Sequence, residues 1–151
     1  TALYREILDR LATRHYRGQY INDELSQRYL ANYIDMLDPL KSYFHQSDIE
    51  EFSQWSTQLD DLARRGDVTP GFVMFNRLRD RLLEQLKANI ALLESDYEFD
   101  YTIDETIVLD GEERQWMQSA SEQRDYWRKR IKEGEGFFPC FSCNQLAFPE
   151  K

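Results

Sequence analysis

The sequence predicts a mainly α-helical protein, a bundle of about five helices with one extended acidic segment. The chain has 151 residues, which is enough for one domain with a hydrophobic core. Hydrophobic residues make up 41% of it, whereas glycine and proline number only 6 and 4, so helix breakers are scarce. Apolar side chains recur at three- and four-residue intervals through most of the chain. Together, these observations favour helices packed around one core.

The first predicted helix is short and amphipathic, and Gly18 ends it. Its apolar residues recur every four positions, at Leu3, Ile7 and Leu11. A second helix is predicted to begin at Asn22–Asp23, since both are good N-terminal caps. It ends at Asp38, because a residue that precedes proline avoids the α-helical region. The chain therefore turns sharply, and Tyr43 and Phe44 are predicted to fill the corner between the second and third helices.

Two more helices are predicted from their start signals. Ser47–Glu50 reads as a capping box that opens a third helix, and Gly66 closes that helix. Thr69 and Pro70 are predicted as the cap and first residue of the longest helix, which continues to about Glu94. The face of this helix expected in the core carries Phe72, Phe75, Leu78, Leu82, Leu86, Ile90 and Leu93. The face expected in water carries Arg77, Arg79, Arg81 and Glu84.

The region from residue 94 to residue 113 contains many carboxylates and no lysine or arginine. Apolar and polar residues alternate from Phe99 to Leu109, so this segment is predicted to lie extended along the helices and could form one short strand. It is interpreted as a solvated face, with cation or partner binding as the alternative. Ser119 and Glu122 form a second capping box, which opens a basic fifth helix. The basic residues predicted to pair with the acidic segment are Arg124, Arg128, Lys129, Arg130 and Lys132.

The charge of the chain excludes several classes of partner. A net charge of -9 disfavours binding to nucleic acid or to an anionic membrane surface. No apolar run approaches the roughly 20 residues that a membrane span requires. The chain does not begin with methionine, and it is interpreted as an excised or processed piece of a longer protein.

No catalytic, cofactor-binding or metal-binding residue is predicted. His15 and His45 are the only histidines, and their separation does not fit a metal site. Cys140 and Cys143 have a metal-like or redox-like spacing, but zinc needs two further ligands and a thioredoxin-type motif needs a βαβ context. The sequence also lacks the G-x-S-x-G, H-E-x-x-H and glycine-rich phosphate-binding motifs. No cofactor is therefore expected.

The stretch from His15 to Phe52 resembles the N-terminal helical region of the tail-specific proteases, also called carboxy-terminal processing peptidases. The features that carry the resemblance are His15-Tyr16, Tyr29-Leu30, the "LDP" at 37–39, Tyr43-Phe44, Ser47-Asp48-Ile49 and Phe52. The long helix, "YEFD" at 97–100 and "YWRKRIK" at 126–132 follow in the same order. A domain over residues 1–132 is therefore predicted. Residues 133–151 are predicted to be an irregular tail, interpreted as vector-encoded or frame-shifted sequence, with a divergent native insert as the alternative.

The resemblance implies a non-catalytic helical domain of a bacterial periplasmic serine protease that degrades proteins with apolar C-terminal tails. Members of the family continue through a PDZ domain and a protease domain with a serine–lysine dyad, so this fragment itself is not expected to be an enzyme. The implied partners are the rest of the parent protease, its protein substrates and an adaptor lipoprotein, and the implied role is to shape substrate access. Two alternatives stay open, namely a free-standing helical interaction module and a small metal or redox protein built on Cys140 and Cys143.

Overall fold

The computed structural model describes residues 22–137, together with residues 6, 7 and 10. The α-helices within 22–137 are α1 (Asp23–Leu37), α2 (Gln46–Phe52), α3 (Leu59–Arg65), α4 (Thr69–Leu93) and α5 (Ala120–Phe137). A 3-10 helix over Ser53–Trp55 separates α2 from α3. The mainly α fold is confirmed. Residues 6, 7 and 10 of the first predicted helix are helical, and the rest of that helix lies outside the described residues.

Helix α1 begins and ends where the sequence predicts. The side chain of Asn22 accepts a hydrogen bond from the Leu25 amide at 3.0 Å, which caps the first turn. Asp38 is the C-terminal cap. The buried core that α1 helps to form contains Leu30, Ile34, Phe44, Phe52 and Met74.

The chain turns after α1 around the buried carboxylate of Asp38. This carboxylate accepts hydrogen bonds from the backbone amides of Ser42, Tyr43 and Phe44 at 2.9, 2.8 and 3.0 Å. Several amide donors on one charged acceptor hold the loop closed, because charge-assisted hydrogen bonds are stronger than neutral ones. Phe44 is thereby brought into the core, where it is 0% exposed and meets Phe52 edge to face. The prediction that Phe44 fills this corner is confirmed.

Helix α5 closes the same corner from outside. The Gln123 side-chain amide donates to the carbonyls of Ser42 and Tyr43 at 3.2 and 3.0 Å. The Trp127 indole donates to the Ser42 carbonyl at 3.1 Å, and its ring packs 5.5 Å from that of Tyr43, which is half-buried. The polar backbone of the loop is thus satisfied by one face of α5.

The prediction of a single third helix from Ser47 to Gly66 is wrong in two respects. Helix α2 begins at Gln46, and its N-terminal cap is His45, whose amide donates to the Asp48 carboxylate at 2.9 Å. Asp48 thus takes the reciprocal capping position that the sequence analysis gave to Glu50, and the helix starts earlier. The 3-10 helix then divides the segment, although Gly66 does end α3 with a left-handed φ of 75°.

Helix α4 begins one residue before the predicted position. Its N-terminal cap is Val68, so Thr69 and Pro70 both lie in the first turn. The Asp67 carboxylate accepts the Thr69 amide at 2.9 Å and satisfies one of the free donors at this end.

The chain between α4 and α5 has no regular secondary structure. The short strand that the alternating pattern allowed is not formed, because residues 104–110 make no backbone ladder with any described residue. The β-bridge found within the described residues joins His45 to Met117. At Gly111 the chain passes so close to Pro39 that a Cβ atom would overlap the Pro39 carbonyl oxygen.

Half of the second predicted capping box forms at the start of α5, because Glu122 accepts the amide of Gln118 and not that of Ser119. The Ser119 hydroxyl accepts the Glu122 amide at 3.2 Å, and the Glu122 carboxylate accepts the Gln118 amide at 2.7 Å. Helix α5 continues to Phe137, beyond the domain boundary predicted at residue 132. The rest of the predicted tail lies outside the described residues.

Replacing Phe44 by alanine is expected to lower the free energy of unfolding by about 3–5 kcal/mol, because a fully buried phenylalanine leaves a cavity. Phe72→Ala is the matched control, since Phe72 is 64% exposed. The free energy of unfolding of this control should differ from that of the wild type by less than about 0.5 kcal/mol. Urea denaturation of both variants measures the difference, and equal effects would show that Phe44 does not anchor the corner.

Candidate docking face on the longest helix

Helix α4 presents its apolar side to the outside. The large apolar side chains along it are between 38% and 64% exposed. They are Phe72, Phe75, Leu82, Leu83, Leu86, Ile90 and Leu93. We call this set the α4 apolar face. The expectation that this stripe lies in the core is wrong, with the exception of Leu78, which packs against the buried cluster.

The opposite side of α4 faces the protein. Pro70, Met74 and Gln85 are its buried residues, and Met74 belongs to the core cluster. Arg77 and Arg81, which were expected in water, turn toward α2 and are only 32% and 23% exposed. The predicted sides are therefore interchanged for Arg77 and Arg81, whereas Arg79 and Glu84 are exposed as expected.

A buried carboxylate on α2 causes this interchange. The Asp48 side chain is 0% exposed, and Arg81 donates from Nε and Nη2 to its two oxygens at 2.9 and 3.0 Å. Arg77 donates from Nη1 to the same carboxylate and from Nη2 to Glu51 at 2.7 Å. A buried carboxylate without such partners would cost several kcal/mol. The ion pairs therefore fix the rotation of α4 about its axis.

The electrostatics of Asp48 agree with this geometry. Burial raises the pKa of Asp48, but hydrogen bonds from Arg81, from the His45 amide and from Arg77 outweigh that effect and hold its pKa below the ordinary value. The hydrogen bond to Asp48 likewise raises the pKa of Arg81. Both groups thus remain charged at neutral pH.

The acidic segment is fastened to α5 through Glu105. Lys132 donates to the Glu105 carboxylate at 2.7 Å and to the Ile103 carbonyl at 3.0 Å, while Arg128 donates to both carboxylate oxygens. Hydrogen bonds from Arg128 and Lys132 lower the pKa of Glu105 to about 2. The predicted pairing with the basic cluster is confirmed for these two residues.

The other members of the basic cluster make no ion pair with the acidic segment within the described residues. Lys129 pairs with Asp125 at 2.7 Å and Arg130 donates to the Tyr126 hydroxyl at 2.9 Å, so both act within α5. Arg124 is exposed.

Of the four residues weighed as ligands in the sequence, His45 is the one that lies within the described residues. His45 is buried, and its Nε2 lies 2.9 Å from Gln123 Oε1, a contact that ties α5 to the corner. His15, Cys140 and Cys143 lie outside the described residues. Within 22–137, no three His, Cys, Asp or Glu side chains converge as a metal site would require. Each helix in that range is too short or too polar to span a lipid bilayer.

Neither the buried position of Asp48 nor the place of Leu83 on the α4 apolar face was predicted from the sequence. One available signal was the four-residue spacing of Arg77 and Arg81, which places both guanidinium groups on one side of a helix. Arg77 also lies three residues from Met74, so the same side contains a core residue. That combination indicates an inward-facing pair in need of a buried carboxylate.

Two comparisons with known proteins bear on the chain. The family model described as "Tail specific protease N-terminal domain" matches residues 7–134. A tail-specific protease of Haemophilus influenzae is 31% identical over 124 residues, which is 82% of this chain and 18% of that protein. The chain therefore spans only a small part of the length of this curated relative.

Asp48→Asn is expected to lower the free energy of unfolding at pH 7 by about 2–4 kcal/mol, because Arg77 and Arg81 lose their buried counter-charge. The pKa of Asp48 is depressed in the folded state relative to its ordinary value of 3.8. The contribution of the Asp48 carboxylate to the free energy of unfolding is therefore complete above pH 3.8. It is lost as the pH falls through the lower pKa of the folded state.

Urea denaturation from pH 7 to pH 2 tests this expectation. The matched control is Asp80→Asn on α4, because the Asp80 side chain is 58% exposed. The difference in free energy of unfolding between the wild type and Asp48→Asn should narrow below pH about 4. The free energy of unfolding of the control should stay close to that of the wild type throughout. A difference that is absent at pH 7, or one that does not change with pH, would contradict the assigned role of Asp48.

Proposed function

This chain belongs to the tail-specific protease N-terminal domain family, and from this premise we propose that it is the non-catalytic helical domain of a periplasmic carboxy-terminal processing serine protease. In this proposal the α4 apolar face packs against the rest of the enzyme and so helps to shape substrate access. Catalysis by a serine nucleophile and a lysine base is assigned to the remainder of the parent protein.

The observation that carries the proposal is the α4 apolar face. It extends from Phe72 to Leu93, a distance of about 30 Å at the helical rise per residue. Large contiguous apolar patches on soluble proteins mark interaction sites, because exposing them to water is unfavourable. Arg79 also lies on this side, where it is 57% exposed and pairs with the Asp80 carboxylate at 3.0 Å.

The rest of the same polypeptide is the favoured occupant. In the Haemophilus relative, the matching segment is only 18% of the protein, so most of that chain lies outside this domain. A covalently attached partner has a high effective concentration and needs little intrinsic affinity to remain docked. A separate adaptor lipoprotein would have to compete with it for the α4 apolar face.

The rigidity of this domain suits a role in substrate access. Helix α4 is held to α2 by the Asp48 ion pairs, and the corner after α1 is held by Asp38 and by α5. A domain that is rigid at these points can hold one wall of a substrate passage in a constant position. The chemistry of cleavage then needs no residue from this domain.

A second candidate function is a free-standing interaction module. The α4 apolar face favours it as well, because an exposed amphipathic helix can receive the apolar side of a partner helix. Reading the gene onward from codon 137 separates the two candidates. Continuation into a PDZ domain and a serine–lysine protease domain supports the accessory domain, whereas a stop after Lys151 supports the module.

We also propose that residues beyond α5 do not belong to the helical domain. The family match covers residues 7–134 and does not include residues 135–151 of the predicted tail. The same reading of the gene tests whether the sequence around Cys140 and Cys143 is native.

In the full-length protease, Leu86→Lys is expected to lower cleavage of a substrate with an apolar C-terminal tail by about tenfold or more, because a charge at the centre of an apolar interface weakens docking. Ala88→Lys is the matched control, since Ala88 is exposed and lies on the side of α4 away from Leu86. It introduces the same residue and should change cleavage by less than about twofold.

Two further measurements make the result decisive. The melting temperature of the 151-residue chain should be the same for Leu86→Lys and the wild type, which excludes misfolding. Equal activity of the two lysine variants would contradict docking through the α4 apolar face. Cleavage of the tailed substrate by this chain alone would contradict its assignment as non-catalytic.

A further inference from the structure

We propose that residues 104–110 bind an extended polypeptide substrate, which pairs with their backbone as an added β-strand. We call residues 104–110 the free edge. The inference rests on the proposed function only for the source of that polypeptide. Strand addition uses backbone hydrogen bonds for affinity and alternate side chains for selectivity.

The backbone of the free edge is available for pairing. From Asp104 to Asp110 the chain neither turns nor bends, and its φ angles are all negative. Within the described part of the chain, the amides and carbonyls of these residues make no hydrogen bonds. Unpaired extended backbone of this kind is the template to which a further strand adds.

The free edge is also held in place before any partner arrives. The Glu105 side chain is 19% exposed and is fixed by Arg128 and Lys132 on α5. Ile107 is half-buried on the same side, whereas the intervening Thr106 and Val108 are exposed. The close approach of Gly111 to Pro39 fixes the chain just beyond it. A partner therefore meets a preorganised edge, which reduces the entropy lost on binding.

The charge around the free edge selects the chemistry of the partner. Residues 94–113 contain no lysine or arginine, and Asp104 and Asp110 are exposed at the ends of the edge. The cations beside it on α5 already have carboxylate partners, Arg128 and Lys132 in Glu105 and Lys129 in Asp125. Exposed apolar side chains lie between and beside them, with Ile103 at 55% and Val108 at 48%. A strand that alternates basic and apolar residues complements both features. Because main-chain pairing tolerates many sequences, such an edge suits an enzyme that handles varied unfolded chains.

The experiment uses the 151-residue chain and a fluorescein-labelled peptide of alternating lysine and valine, with fluorescence anisotropy as the readout. We expect saturable binding at low ionic strength, and binding weaker by about tenfold or more for the glutamate–valine peptide. Two peptides N-methylated at alternate residues then test main-chain pairing. Methylation on the paired side should reduce affinity by about tenfold, whereas methylation on the solvent side should leave it unchanged.

A variant of the chain tests the location. Thr106→Pro combined with Leu109→Pro removes a backbone donor from each side of the strand and should reduce affinity by about tenfold. The matched control, Thr106→Ala with Leu109→Ala, keeps both donors and should bind within about twofold of the wild type.

The outcomes separate this inference from the proposed function. Strand addition would be overturned if both methylated peptides bound with equal affinity. It would also be overturned if the proline and alanine variants bound the peptide equally well. Either result would show attraction by charge alone. Absence of binding at peptide concentrations of about 1 mM would overturn strand addition as well. Each of these results leaves docking through α4 untouched, since that docking is measured by Leu86→Lys in the full-length protein.

Discussion

The carboxylate of Asp48 lies buried between α2 and α4, where it accepts hydrogen bonds from the His45 amide, Arg77 and Arg81. One side chain thus caps α2 and orients α4. Because the two arginines must face this carboxylate, the leucines on the other side of α4 must face outward. The exposed α4 apolar face is the direct consequence, and the proposal that this domain docks on the rest of a protease depends on it.

A second buried carboxylate gives the domain its other fixed point. Asp38 closes the loop after α1, and Gln123 and Trp127 on α5 bind the carbonyls of that loop. The loop therefore joins α1, α2 and α5, while Asp48 joins α2 to α4. These polar centres flank a modest apolar core, so much of the unique geometry of this domain comes from charge-assisted hydrogen bonds. Many of its apolar side chains are exposed along α4.

Local signals predicted the parts of the fold that depend on neighbouring residues. The Asn22 cap, the Asp38-Pro39 stop and the burial of Phe44 follow from backbone preferences and from the shortness of the turn. The rotation of α4 could not be predicted in this way. Hydrophobic periodicity identifies two sides of a helix but assumes that the apolar side is buried within the same domain. That assumption fails when the covering surface belongs to another part of a longer protein, and when a carboxylate distant in sequence turns the arginines inward.

The most direct test of this account is the accessibility of single cysteines along α4. In a Cys140→Ser/Cys143→Ser background, cysteine is placed at Leu83, Leu86, Met74 or Gln85, and the rate of maleimide labelling is measured in native buffer. With α4 oriented as described, labelling should be rapid at Leu83 and Leu86. It should be at least about 100-fold slower at Met74 and Gln85, where reaction requires local opening. Comparable rates at all four positions, or faster labelling at Met74 and Gln85, would contradict the orientation of α4 and with it the docking face.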